Sequence, residues 1–334
     1  MGYEPNELPT ALPRDLEHKY NNFIFHRQAN GGRLYLYPVE KTNHRAGFIS
    51  IIGNPNVGKS TLMNALMDQP LSIITAKAQT TRHRILGIVN GEDYQLVLSD
   101  TPGIIKPAYS LQAAMMDQLQ TSLQDADVLC YMIALGETKI KDEALFEKIR
   151  NTALPLLVLI NKIDLATQEA LEAAVDHWKA LLPNATIYPI SALTGFFVPE
   201  LLSRLVELMP DCPPYFPKDQ MTDKPERFFV NEAIRKEILE HYDKEIPYAV
   251  EVLTEAFLED PKLIKIQAAI LVERETQKGI LIGHKGTQLK KVGQGARRAL
   301  EAFFGKKIFL ELFVKVSKNW RNDSRQLKRF GYQH

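Results

Sequence analysis

Two kinds of apolar pattern divide this chain. In its first half, short apolar runs recur at residues 47–52 (Gly-Phe-Ile-Ser-Ile-Ile), Tyr94–Leu98, Val128–Ile133, Leu156–Ile160 and Ile187–Ile190. Apolar runs of this length, bounded by turn-forming residues, are the size of strands buried on both faces. A helical stretch follows the first, from Thr61 to Met67. The spacing therefore predicts an α/β unit. Beyond Pro210, Pro213, Pro214 and Pro217 the pattern changes. Val230, Ile234 and Ile238 stand four apart within a helix predicted over 227–242. Strict alternation then predicts a strand with Val250, Val252, Thr254, Ala256 and Leu258 on one face, and another with Ile264, Ile266, Ala268, Ile270 and Val272. A short apolar turn, 280–282, leads to the loop Gly283-His-Lys-Gly286. A helix over 287–304 and a last strand with Ile308, Leu310, Leu312, Val314 and Val316 on one face complete this α+β unit.

At 334 residues the chain is longer than one core usually serves. We divide it into an N-terminal extension (1–45), an α/β domain (46–209), a linker (210–225) and an α+β domain with a tail (226–334). In the extension, Leu34–Tyr37 has strand character but Pro38 stops it, and no longer period is sustained, so 1–45 reads as an arm. An apolar content of 45% with 24% charged residues excludes a largely disordered chain. No uncharged apolar run has the roughly 18–20 residues that span a bilayer, and no secretory signal is visible. Cys130 and Cys212 are too few for a disulfide framework or a four-cysteine zinc site, and Cys130 reads as a buried small hydrophobe. A cytoplasmic protein is expected. The net charge of +1 hides an asymmetry: residues 262–334 hold 17 Lys/Arg against 5 Asp/Glu, or +12, leaving −11 for the rest. A basic segment on an acidic body suits a nucleic-acid or anionic-membrane surface.

The sharpest chemical signal follows the first apolar run: Gly53-Asn54-Pro-Asn56-Val57-Gly58-Lys59-Ser60-Thr61, in the order strand, GxxxxGK[ST], helix. Glycines let backbone N–H groups turn inward around phosphate at a helix N-terminus that favours anions. Lys59 is then expected at the β- and γ-phosphates and the Ser60 hydroxyl on Mg²⁺. Asn161-Lys162-Ile-Asp164, after the fourth apolar run, selects the base. A carboxylate at Asp164 accepts from both N1–H and the exocyclic amine of guanine, whereas adenine leaves it unsatisfied. Asp100-Thr-Pro-Gly103 offers a second Mg²⁺ ligand in Asp100 and a γ-phosphate donor in the Gly103 N–H; Ser191-Ala192-Leu193 can line the guanine.

In this order the segments resemble the P-loop, second switch and base-recognition motifs of translation-factor-type GTPases. Thr80-Thr81 resembles the first switch, whose threonine closes on Mg²⁺ and γ-phosphate; the sequence leaves open which of the two it is. One departure stands after Gly103: Ile104 occupies a position where many such GTPases carry a water-orienting glutamine. No catalytic side chain is therefore assigned, and the resemblance implies slow intrinsic hydrolysis. It also implies K⁺ near the phosphates, with Asn56 as a ligand; the other reading of Asn56 is a turn residue.

The order αββ, short helix, GxxG, αβ resembles a type II KH domain, whose GxxG loop clamps about four single-stranded nucleotides; a plain helix–turn–helix is the alternative. Gly283, His284, Lys285, Gly286, Lys290, Lys291 and Arg297 form the expected RNA-contact set, with His284 as an exposed loop residue. The tail from Trp320 to Tyr332 either extends that surface or packs on the domain.

The P-loop GTPase domain with a C-terminal KH domain, together with Gln79-Thr-Thr-Arg-His-Arg84 and Glu245-Ile-Pro-Tyr248, resembles the Era GTPase family over residues 46–334. That resemblance implies a monomer that binds GTP and GDP, binds the 3′ end of 16S rRNA, acts in assembly of the 30S ribosomal subunit, and associates peripherally with the inner membrane face. The other readings are an RNA chaperone with nucleotide as allosteric ligand, and a membrane-surface GTPase.

Overall fold

The computed structural model describes residues 43–138 and 142–332, preceded by two strands, β1 (Phe23–Arg27) and β2 (Leu34–Pro38), paired antiparallel. The strand expected at 34–37 thus has a partner, too short to announce itself by periodicity. Of the rest of the predicted arm only residues 43–45 are described, and Arg45 already opens the next strand.

The α/β domain follows as β3 (Arg45–Ile52), α1 (Lys59–Met67), β4 (Ile85–Asn90), β5 (Tyr94–Asp100), α2 (Ser110–Asp125), β6 (Val128–Ala134), α3 (Glu143–Arg150), β7 (Leu156–Asn161), α4 (Gln168–Leu181), β8 (Thr186–Pro189) and α5 (Val198–Leu208). Its sheet order is β4-β5-β3-β6-β7-β8, parallel except for the β4 edge. The apolar runs are continuous because both faces are covered. Ile49, Ile51, Leu98 and Met132 pack on the side of α1 and α5, while Ile52, Leu129, Tyr131 and Ile133 pack on the side of α4 around Trp178. Cys130 is buried, as expected of a small hydrophobe. The chain reverses its direction of winding at β3, so the carboxyl ends of β3 and β6 open a crevice of the kind in which α/β sheets bind ligands.

Residues 210–225 do not cross open space. The Gln95 side chain accepts from the N–H groups of Tyr215 (2.7 Å) and Phe216 (2.9 Å), and Ile88 N–H donates to Met221 O (2.9 Å). The proline-rich segment therefore runs along the exposed edge of β4, taking up backbone groups an edge strand leaves unpaired.

The second domain comprises α6 (Glu226–His241), α7 (Ile246–Ala249), β9 (Glu251–Glu259), β10 (Leu263–Val272), α8 (Glu275–Ile282), α9 (Thr287–Phe304), β11 (Lys307–Val316) and α10 (Ser324–Arg329). Its sheet order is β11-β10-β9, with β10 parallel to β11 and antiparallel to β9. The predicted faces of β10 and β11 pack against α6 and α9 around Val230, Ile234, Val292 and Leu300.

Two expectations need correction. On β9, Gln267 pairs with Ala256 but Ala268 with Thr254, so Glu255 is an extra residue and the face flips. Leu258 is 64% exposed, and Phe257 packs on the core in its place. A bulge adds one residue and reverses the alternation beyond it, which a period of two cannot anticipate. The short apolar turn at 280–282 is the end of the two-turn helix α8, whose start is closed by the Gln277 side chain accepting from the N–H groups of Glu273 (2.9 Å) and Arg274 (3.1 Å). Among the described residues no helix is long and apolar enough to cross a membrane.

Candidate functional site

Residues 53–60 turn at the carboxyl end of β3 and pass into α1. Gly58 has φ 107°, which L side chains rarely adopt, and a Cβ there would lie 2.3 Å from Asn161 Nδ2. A Cβ on Gly103 would meet the Pro55 backbone at 2.8 Å, and Ile104 N–H donates to Gly53 O at 3.1 Å. The Asp100–Gly103 segment is thus laid directly against the phosphate loop. Val57 sends its side chain into the core and offers only its backbone; Thr61 is half-buried in the first turn of α1.

Lys59 is buried and donates through Nζ to Gly53 O (3.1 Å) and Asn54 O (2.9 Å). Burial lowers its pKa to about 8, against the opposing pull of Asp100 and Glu137. An ammonium donating to two carbonyls of the loop has the charge and the position to donate to phosphate oxygens there instead. Glu137, which reasoning from sequence missed, accepts from Ala134 N–H (3.2 Å) and Asn54 Nδ2 (3.5 Å) beside this lysine. Its only sequence signal is a carboxylate just past the end of β6.

Beneath the loop, Ser60 Oγ donates to Asp100 Oδ2 at 2.7 Å and lies 2.9 Å from Thr81 Oγ1. Asp100 is fully buried; burial raises its pKa, opposed by Ser60 and Lys59. Its Oδ1 is buried with no hydrogen-bond partner. One carboxylate with an orphaned oxygen and two hydroxyls form an all-oxygen donor set that fits Mg²⁺, a hard cation that takes its remaining ligands from phosphate and water. Thr80 points elsewhere: its Oγ1 donates to Lys77 O (2.6 Å) and pairs with Thr75 Oγ1 (2.7 Å). Of the two threonines, the geometry brings only Thr81 to the cluster.

On the base side, Asn161 acts as a brace: Nδ2 donates to Val57 O (2.7 Å) and Oδ1 accepts from Ala192 N–H (2.9 Å). Lys162, in the left-handed region at φ 68°, reaches across to Asn56 O (2.8 Å). Ser191 is buried and donates to Asp164 Oδ1 at 2.6 Å, fixing a carboxylate that is otherwise open to solvent. Leu193 is exposed beside it. Asn56 donates through Nδ2 to Ala76 O (2.8 Å), which fastens the loop to the segment leading to Thr81. Ile104 is wholly buried among Ile52, Leu119, Leu129 and Tyr131, so the position after Gly103 sends no polar group to the phosphates.

In the second domain, a cavity of about 360 Å³ lies between the GxxG loop, α9 and β11. Gly286, Lys290, Gly293 and Arg297 line one side, Leu310 and Leu312 the other. Gly283 (φ 70°), Lys285 (φ 49°) and Gly286 (φ 76°) all take left-handed backbone, which turns the loop outward with His284 and Lys285 exposed. Lys291 is exposed one position around α9 and is not among the lining residues. Sequence reasoning missed Gly293 and the two leucines. They carried a core pattern on β11, and only the packed strand shows their ends facing the groove.

Comparison with known proteins follows the same division. Residues 48–162 match the family described as 50S ribosome-binding GTPase, and residues 245–321 match the KH domain family. The GTPase Era of Syntrophus aciditrophicus (strain SB) is 44% identical over 92% of this chain and 99% of its own length. That of Geotalea uraniireducens (strain Rf4) is 45% identical over 86% and 98%. A crystal structure of Era in complex with MgGDPNP and nucleotides 1506–1542 of 16S ribosomal RNA superposes with a TM-score of 0.83 at 36% identity, over 87% of this chain and all of that one. A variant of Aquifex aeolicus Era bound to GDP·AlF4⁻ gives the same values.

Proposed function

Because this chain belongs to the Era family of GTPases, and so hydrolyses GTP to GDP and phosphate and binds rRNA, we propose that its RNA target is the 3′ end of 16S rRNA and that it acts in assembly of the 30S subunit. The observation that carries this reading is the groove of about 360 Å³ beside the GxxG loop, with Lys290 and Arg297 over it, on the same chain as the Ser60–Thr81–Asp100 cluster. A relative's complex with 16S rRNA nucleotides supports it.

At the nucleotide, Lys59 and the N–H groups of residues 53–60 bind the β- and γ-phosphates, and Asp164 reads guanine with Ser191 holding its carboxylate in place. Ser60, Thr81 and Asp100 would hold Mg²⁺, which when bound neutralises charge developing on the phosphate oxygens. Thr81 and the Gly103 N–H close on the γ-phosphate, and their release after hydrolysis loosens the segments that carry them. With Ile104 buried, the residue after Gly103 does not orient the attacking water, and slow intrinsic turnover is expected. The proposal extends to K⁺, with the Asn56 carboxamide oxygen as a ligand, its NH₂ group being turned to Ala76 O. Hydrolysis is expected to run faster in KCl than in NaCl of equal ionic strength, and equal rates would remove the ion from the mechanism.

Fluorescence anisotropy of a labelled 16S rRNA 3′-end oligonucleotide, at several salt concentrations, tests the RNA reading. Binding should be tighter with a non-hydrolysable GTP analogue than with GDP. The double variant Lys290→Ala/Arg297→Ala should bind more weakly and lower the salt slope by about 1.4, for two phosphate contacts on a single strand. Binding that ignores nucleotide, base sequence and these two residues would overturn it.

A further inference from the structure

Thr81 is held in place from outside its own domain. On its N-terminal side, the Arg235 guanidinium of α6 donates to Gln79 O (3.4 Å) and Thr80 O, while its other face is bound to Glu232. Earlier in the same segment, Lys77 Nζ donates to Tyr242 O and the Asp243 carboxylate. On the C-terminal side, Arg82 is completely buried and donates to Val250 O (2.7 Å) and Pro247 O (3.0 Å), with Glu251 at 3.6 Å. The His83 ring stacks on Tyr332, with centroids 4.1 Å and planes 15° apart. Tyr332 Oη donates to Glu251 Oε2 at 2.8 Å and closes the set. Every one of these partners lies in 226–332. Between the fixed neighbours, Thr81 presents its hydroxyl to Ser60.

Tyr332 arrives there on a strap. After β11 the chain buries Trp320, Leu327 and Tyr332 against Leu111, Ala114 and Met115 of α2, with Trp320 Nε1 donating to Ala249 O (3.0 Å). Gln118 of α2 ties the ends together, accepting from Arg84 N–H (2.7 Å) and donating to Tyr332 O (3.3 Å). Of the two readings of the tail, packing is the one seen for its aromatic side chains, and the packing spans both domains. The buried charges balance, Arg82 and Arg235 against Glu232 and Glu251. Removing any one would strand a partner in a dry interface. Tyr332 is the uncharged member: altering it takes one hydrogen bond from Glu251 but leaves that carboxylate its ion pair with Arg82 at 3.6 Å.

We propose that Tyr332 is a positioning residue for Thr81, the C-terminal strap holding residues 79–84 in the arrangement that GTP requires and GDP does not. The inference rests on the proposed role of Thr81 at the γ-phosphate. Its consequence is that preference for triphosphate over diphosphate depends on a side chain 251 positions away in sequence, in the tail of the RNA-binding domain.

The test uses the full chain with GDP and with a non-hydrolysable GTP analogue, each titrated with Mg²⁺ present, alongside thermal unfolding. Tyr332→Ala should weaken the analogue about tenfold, of the order of one lost aromatic contact, and leave GDP unchanged. Tyr332→Phe, which keeps the stack, should recover most of that loss. In combination with Thr81→Ala, Tyr332→Ala should add nothing. Equal weakening of both nucleotides, as from general loosening, or no change in either, would overturn the inference. Thr81→Ala alone reads the underlying assignment. If it weakens the analogue while Tyr332→Ala does not, only the strap is wrong; if it leaves the analogue untouched, the role of Thr81 fails and the inference with it.

Discussion

Asp164→Asn is expected to lower the kcat/KM for GTP by about ten-thousand-fold and to create activity on xanthosine triphosphate. A site built to hydrogen-bond one edge of a base rejects an analogue that leaves its polar groups unpaired by about that factor. On the proposed reading, the carboxylate accepts from guanine N1–H and from the amine at C2. Asparagine keeps an oxygen for N1–H but turns an NH₂ toward that amine, donor against donor. Xanthine carries a carbonyl at C2, and the same NH₂ then donates to it. Two features make the exchange clean. Asp164 is exposed, so no buried charge is stranded, and the Ser191 hydroxyl that donates to its Oδ1 at 2.6 Å can donate equally to an amide oxygen. Competition between the two triphosphates in single-turnover hydrolysis measures the switch. A variant that still prefers GTP would remove Asp164 from base recognition.

Lys59→Ala should weaken both GTP and GDP by about a hundred- to a thousand-fold, the usual effect of truncating one partner of a buried charge-assisted contact. RNA affinity in this variant should no longer differ between added GTP analogue and added GDP. A variant that lost nucleotide yet bound RNA as tightly as the analogue-loaded parent would break the proposed coupling between the sites. A pH profile adds a readout that a folding defect would not mimic. With its pKa lowered to about 8 by burial, Lys59 loses its proton as pH rises above 8 in the nucleotide-free chain. Bound phosphate favours the charged form, so binding above pH 8 must take up a proton. Affinity should be flat in this group's contribution below pH 8 and fall by up to tenfold per unit above it, toward the ordinary lysine range. In Lys59→Ala that slope should vanish. A parent profile flat to pH 10 would mean that the lysine is not the phosphate ligand.

Much of this site is written locally. A phosphate loop is one continuous segment whose glycines are required by backbone geometry, as at Gly58, where neither φ nor the neighbouring Asn161 admits a side chain. The base-reading residues lie at strand ends, and strands announce themselves by runs of apolar residues. The faces of β10 and β11 were equally legible, because alternation at a period of two is a local property. Where a local rule was broken by one residue, as at Glu255 on β9, the reading failed from that residue onward.

The sequence by itself determined that this chain has two units, that the first carries a guanine-selective phosphate site, and that the second pairs a GxxG loop with a basic helix. These are short-range facts, set by periodicity and by side chains within a few positions of one another. Tertiary structure alone decided between Thr80 and Thr81, since adjacent residues of one type differ only in where the folded backbone aims them. It decided that Ile104 belongs to the core, and that Leu310 and Leu312 line the groove. It also decided that buried Arg82, Arg235, Glu251 and Tyr332 gather around the segment that holds Thr81, with half-buried His83 stacked on Tyr332. No pattern in the chain brings residue 83 to residue 332. That contact exists because the tail has apolar side chains to bury, and α2 presents the face that covers them.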